Sequence, residues 1–279
     1  MSGSFASGSS DLTKELTCAP GPIEQVRAYI HDALVVGEME IRKLRHDPTE
    51  LLTRAVQPAL WLLVFGQAFS RIRAIPTGGV NYLTFMTPGI LAQSVMFIAI
   101  FYGLNIIWDR DAGILQKFLV LPVPRAAFVT GKGLGAGVRA LSQAAVVLLL
   151  ALALGVHLHW SVTSVLGSLA TVILGAALFA TLSMLIAIAV KTRERFMGMG
   201  QVMTMPLFFA SNAIYPIQIM PDWLRWVARF NPLSYMVSLL RGYLVTGRAP
   251  GEWSDWLILL AAVVVAQIAA GKTYHRVMI

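Results

Sequence analysis

Between Arg139 and Lys191 the chain carries no Asp, Glu, Lys or Arg. A run of that length is too long for one buried helix of a soluble core. It suffices for two passes through a hydrocarbon layer about 30 Å thick, each needing roughly 20 apolar residues. Residues 74–108 are likewise uncharged. Over all 279 residues only 13% are charged and 57% are hydrophobic, against about 25% charged in an ordinary soluble domain. Lipid is therefore the solvent for much of the chain. That excludes a soluble enzyme, a disordered chain and a collagen-like repeat, and no polar stretch is left to build an enzymatic appendage.

The charge-poor segments predict an all-α polytopic membrane protein with six transmembrane helices, at about 51–70, 82–108, 133–155, 161–190, 198–217 and 253–271. The punctuation from Gly155 to Ser161 divides the longest run in two, with Trp160 suited to a membrane interface. With an even count both termini share a side, and sixteen of the 22 basic residues fall there. The positive-inside rule then places both termini in the cytoplasm. The same sorting accounts for the net charge of +8 without nucleic acid. Residues 1–22 are Ser/Gly-rich, lack a signal-peptide core and read as a disordered cytoplasmic tail. Cys18, the single cysteine, lies in that tail.

Two regions fit neither span nor loop. Residues 23–46 mix an imperfect apolar stripe with charges, as does an amphipathic helix lying at the cytoplasmic surface. Residues 220–250 are too aromatic for a free loop and too rich in arginine for a span. Pro221 and Asn231-Pro232 break them into short helices, read as a re-entrant pair packed on the neighbouring spans in the outer leaflet.

Catalytic groups do not converge. HExxH, GxSxG and paired carboxylates are missing, and His157 with His159 reads as a solvated pair in a short outer loop. Gly271-Lys272-Thr273 ends like a P-loop, but Ala266 stands where the leading glycine belongs, and a P-loop also needs a preceding strand. This chain thus has no nucleotide-binding motif, no metal site and no cofactor of its own. No span carries a central Asp, Glu or Lys and no charge is expected in mid-span. That absence, together with the lack of an internal repeat, disfavours an ion-coupled carrier. The missing reactive cluster disfavours a membrane-embedded enzyme.

The spans offer instead a methionine-rich, aromatic and weakly polar lining suited to bulky amphiphiles. The candidates for a substrate pathway are Phe97, Phe101 and Asn105 in the second span, with Met203, Phe208, Phe209, Asn212 and Tyr215 in the fifth. Gly131, Gly133, Gly135 and Gly137 have GxxxG spacing, which permits close helix approach or a flexible entry to the third span.

The segment after the second span reads as a short helix over 109–121. Asp109 and Asp111 suit its N-terminus, while Leu115, Phe118 and Leu119 share a face. Pro122 and Pro124 end it. An apolar knob on the cytoplasmic side can dock a soluble partner. Here the sequence resembles the permeases of ABC-2 type exporters, of the daunorubicin-resistance and nodulation-factor-export types. Asp111, Gly113, Leu115, Phe118, Pro122 and Val123 match their inner loop, with Asp in place of the usual Glu. A second signature matches Pro206, Tyr215-Pro216, Pro221-Asp222-Trp223-Leu224, Asn231-Pro232-Leu233-Ser234-Tyr235 and Arg241-Gly242.

The resemblance implies a half-transporter occupying residues 23–279. Two copies of an ABC ATPase subunit, carrying ATP and Mg, would dock on the interface helix and on the coupling residues Asp109, Asp111, Gly113, Leu115, Phe118, Leu119 and Pro122. A second permease chain, identical or homologous, would complete the pathway through spans one and five. Pro216, Pro221, Trp223, Asn231, Pro232, Tyr235 and Arg241 would form an outer gate. The cargo would be an amphipathic drug, lipid or glycolipid moved outward, or alternatively a free or lipid-linked polysaccharide.

Overall fold

The computed structural model describes residues 48–72, 79–104, 125–190, 192–247 and 253–273, with residues 31, 35, 38, 42, 77, 107 and 108. Every regular element among the described residues is helical. Helix α1 (Pro48–Leu60) runs through a π turn (Trp61–Gly66) into α2 (Gln67–Ile72), so the first apolar segment is continuous. Then follow α3 (Tyr82–Tyr102), α4 (Arg125–Ala153), α5 (Val162–Ala189) and α6 (Arg193–Phe209). A 3₁₀ turn (Ile217–Ile219) leads to α7 (Asp222–Phe230) and α8 (Pro232–Arg241). A second π turn (Gly242–Thr246) precedes α9 (Trp253–Thr273). Helices α3, α5 and α9 and residues Gly133–Ala153 of α4 are each long and apolar enough to cross a membrane. Shorter apolar helix covers Ala55–Ser70. The chain is an all-α polytopic membrane protein.

Helix α3 is apolar on every side and nearly all of it is buried, as befits the centre of a bundle. Helix α5 packs on α3, α4, α8 and α9. The α4–α5 corner closes where expected. Gly155 sits at φ 76°, its N–H donating to the Leu152 carbonyl (2.9 Å) and that of Val156 to Ala151 (3.0 Å). This double bond pattern with a left-handed glycine terminates a helix. Ser161 then caps α5, its hydroxyl accepting from the Ser164 N–H at 3.1 Å.

Several boundaries differ from the sequence reading, each for a local reason. The second span was expected to continue to residue 108, but α3 stops at Tyr102. The Ser183 hydroxyl donates to the Ile100 carbonyl, and Gly103 turns its own N–H to Ile100 at 3.2 Å. Leu104, Ile107 and Trp108 are again helical. Helix α4 begins at Arg125, directly after Pro122 and Pro124, so the glycine-rich stretch is helix and not an entry loop. Arg139 consequently lies near the middle of α4, buried at 8% exposure. Its guanidinium stands 5.3 Å from the Tyr102 ring centroid. Within the membrane-length segment Gly133–Ala153 this residue falls in the first third, not at mid-span, and its head rests on an aromatic face.

Of the glycines with GxxxG spacing, Gly133 and Gly137 make no unusually close approach. Cβ atoms at Gly133 or Gly137 would meet Gln267 or Ile173 at an ordinary 3.6 Å. A Cβ at Gly175 would instead strike the Met236 side chain (Cε at 2.8 Å), and one at Gly167 the Tyr243 ring (2.5 Å). Both seat α8 and its π extension against α5. At Gly89 the neighbour is backbone and not a side chain: a Cβ there would lie 2.7 Å from the Ala213 Cα.

Of the expected interface helix, His31, Val35, Glu38 and Arg42 are described. They are helical, exposed and on one face, with Arg42 and Glu38 paired at 2.7 Å. Residues 109–121, the expected coupling helix, lie outside the described residues, as does Asn105.

Candidate functional site in two polar cavities and a helical cap

Two cavities carry polar groups into the bundle. The first, about 210 Å³, lies between α1, α3 and α4. Thr53 and Gln57 enter it from α1, Gln93, Ser94 and Phe97 from α3, and Gln143 from α4. Gln93 and Gln143 are buried, at 4% and 1% exposure. Ser94 satisfies its hydroxyl on the Ile90 carbonyl at 2.7 Å. A primary amide facing an apolar interior costs free energy unless it finds a partner. Amides from three helices therefore make this the polar centre of an apolar bundle, able to hold water or the polar part of a guest.

The second cavity, about 560 Å³, lies between α3, α8 and the segment after α6. Phe85, Asn212, Pro216, Gln218, Ser238 and Arg241 line it. Arg241, at the end of α8, donates through Nη2 to the Asn212 carbonyl at 2.7 Å and to the Phe85 carbonyl at 3.4 Å. Its Cζ stands 3.9 Å from the Phe85 ring centroid. The Asn212 amide donates to the Ser238 hydroxyl at 2.9 Å.

Beside the second cavity α7 and α8 form a cap fixed by side-chain bonds to backbone. Asn231 ends α7 and starts α8, with Pro232 at the first helical position, where its missing N–H costs nothing. The Asn231 Oδ1 accepts from Leu233 N–H at 3.0 Å, and its Nδ2 donates to the Leu207 carbonyl of α6 at 2.6 Å. The Tyr235 hydroxyl donates to Arg229 carbonyl oxygen at 2.5 Å, and that of Tyr215 to Phe209 at 2.5 Å. Pro221 precedes α7. Trp223, Trp226, Val227 and Phe230 form one exposed apolar face of α7, the spacing of a helix lying in a membrane interface.

The expected pathway residues separate into groups. Phe97 lines the amide cavity and stacks on Phe101 at 4.7 Å. Phe101 in turn faces Gly200 of α6. Met203 packs against the core. Phe208 is buried at 1% exposure with its ring 5.4 Å from Trp61, while Phe209 is exposed beside the same tryptophan. Asn212 belongs to the arginine cavity, which gathers Pro216 and Arg241 from the expected gate. Phe208→Ala is therefore expected to cost about 3–5 kcal/mol of stability, read as a fall in thermal midpoint in detergent. Phe97→Ala should leave the midpoint close to wild type and alter ligand-dependent responses. Sequence reasoning missed Gln57, Gln143, Phe85, Gln218 and Ser238. The isolated amides in apolar helices were the available signal, because such groups face protein or a pathway and not lipid.

Membrane-length helices around polar cavities are the build of a membrane permease. The ABC-2 type transporter family model matches residues 33–245, and the chain belongs to that family. It is 25% identical to the daunorubicin resistance ABC transporter permease protein of Streptomyces coeruleorubidus over 277 residues, covering 92% of this chain and 96% of the relative. A chain named as a transport permease from Cyanophora paradoxa is 29% identical over 76% of this chain and 74% of its own length. Nodulation protein J of Rhizobium leguminosarum bv. trifolii is 27% identical over 68% and 72%.

Proposed function

We propose that this chain is the transmembrane permease subunit of an ATP-driven exporter that moves an amphipathic drug, lipid or glycolipid outward from the cytoplasm or inner leaflet. The family match over residues 33–245 carries the reading, and the names of the relatives support the cargo class. An amide-lined cavity with an aromatic wall supports it, since an amphiphile needs both surfaces. Energy comes from a separate ABC ATPase, present in two copies with ATP and Mg, which docks on the 109–121 segment and the interface helix. A second permease chain completes the pathway. The exposed apolar faces of the first helix and α6 (Val64, Phe65, Val202, Phe209) support pairing there. Both termini lie in the cytoplasm of a bacterial inner membrane, which puts the α7–α8 cap on the outer face.

The test is reconstitution with the co-purified ATPase in vesicles. Leu115→Asp places a charge in the apolar docking knob and should lower vectorial transport at least tenfold while leaving membrane insertion intact. Full transport in vesicles without any ATPase would refute the proposal.

A further inference from the structure

Among the described residues, the arginine cavity holds a cation without a counter-charge. Arg241 has five N–H donors and spends one nitrogen, Nη2, on two backbone carbonyls. Its Nε is buried and has no hydrogen-bond partner among the described residues. The Asn212 Oδ1 beside it is buried without a donor as well. Among the described residues no carboxylate lines the cavity. Asp222 is turned to solvent and paired with Arg225 at 3.3 Å. Arg225 also donates to the Gln218 and Met220 carbonyls, and so holds the Gln218 edge of the cavity in place. A guanidinium withdrawn from water with donors unspent is costly unless an anion completes it. The planar fork matches an oxyanion in two-point contact. The Ser238 hydroxyl and the exposed Gln218 amide supply neutral groups on the same wall, and the Phe85 ring offers an apolar floor.

We propose that this cavity is an oxyanion-binding site in which Arg241 receives the phosphate, sulfate or carboxylate head of an amphiphile. This rests on the permease reading only for the face on which the cavity opens. The binding itself is a property of the isolated chain and stands or falls without transport.

The experiment is a thermal-shift titration of the purified chain in nanodiscs of phosphatidylcholine, with dodecyl phosphate and, separately, inorganic phosphate. Dodecyl phosphate should raise the midpoint, and Arg241→Gln should weaken its apparent affinity roughly tenfold or more. A response to dodecyl phosphate alone identifies a lipid-like headgroup as the source. An equal response to inorganic phosphate identifies a free anion, and either supports the site. Gln218→Glu keeps the arginine and installs a carboxylate at the rim. It should raise the ligand-free midpoint and abolish the dodecyl phosphate response, which keeps the test open should Arg241→Gln not fold. No shift in the wild type, or an unchanged shift in both variants, overturns the proposal.

Discussion

Gly89→Val is expected to yield a protein that inserts in the membrane and fails to hold its tertiary structure. The added Cβ would lie 2.7 Å from the Ala213 Cα and 2.8 Å from its carbonyl carbon. Those are backbone atoms, which cannot rotate aside as a side chain can. The same segment is held by the Tyr82 hydroxyl on the Ile214 carbonyl at 3.1 Å and by Arg241 on that of Asn212. Separating α3 from it therefore breaks several contacts together. The expected cost is about 3 kcal/mol or more, seen as loss of a cooperative thermal transition and as trypsin cleavage near the cap. Gly137→Ala is the matched control. Its Cβ meets Ile173 at 3.6 Å, and replacing a helical glycine by alanine contributes up to about 1 kcal/mol. It should be neutral or mildly stabilising. Equal damage from the two substitutions would show that the glycine contacts are misassigned.

Asn231→Ala should release the cap. The substitution removes the acceptor that starts α8 and the donor that ties the turn to Leu207 of α6. Loss of a helix cap costs about 1 kcal/mol, and leaving the half-buried Leu207 carbonyl unpaired adds roughly 1. Asn231→Ser separates the two. Serine caps as well as asparagine but is too short to reach Leu207, so it should restore about 1 kcal/mol and no more. Hydrogen exchange at the α8 amides is the appropriate readout. Full recovery with serine would mean that the bond to α6 contributes nothing.

The helices were legible in the sequence because membrane burial is written in long stretches of one kind. An uncharged run between Arg139 and Lys191 with one glycine-marked corner admits few other folds. The cap was legible for a different reason: Pro221 and Asn231-Pro232 dictate local backbone wherever they stand. The cavities were only half legible. Asn212 and Arg241 were both singled out, but for a pathway and a gate, and their meeting depends on how α3, α6 and α8 pack. Spacing pointed to Gly133 and Gly137, whereas contact depends on Gly89, Gly167 and Gly175, whose partners lie far along the chain. Sorting charges along the chain placed Arg139 on the cytoplasmic side, but it could not register that Tyr102 offers a ring to rest on. Interactions within four residues can be read from sequence; those between distant helices follow from packing.

The seat of Gly89 also bears on how the protein is made. Its partner, Ala213, is synthesised only after α4, α5 and α6. Until then the central helix has entered the bilayer with bare backbone at residue 89 where the finished protein has a neighbour. The first half of the chain is thus an incomplete folding unit that waits for its second half. Nascent chains stalled after Ala189 should remain sensitive to quality-control proteolysis, and that sensitivity should end once residues 211–241 have emerged.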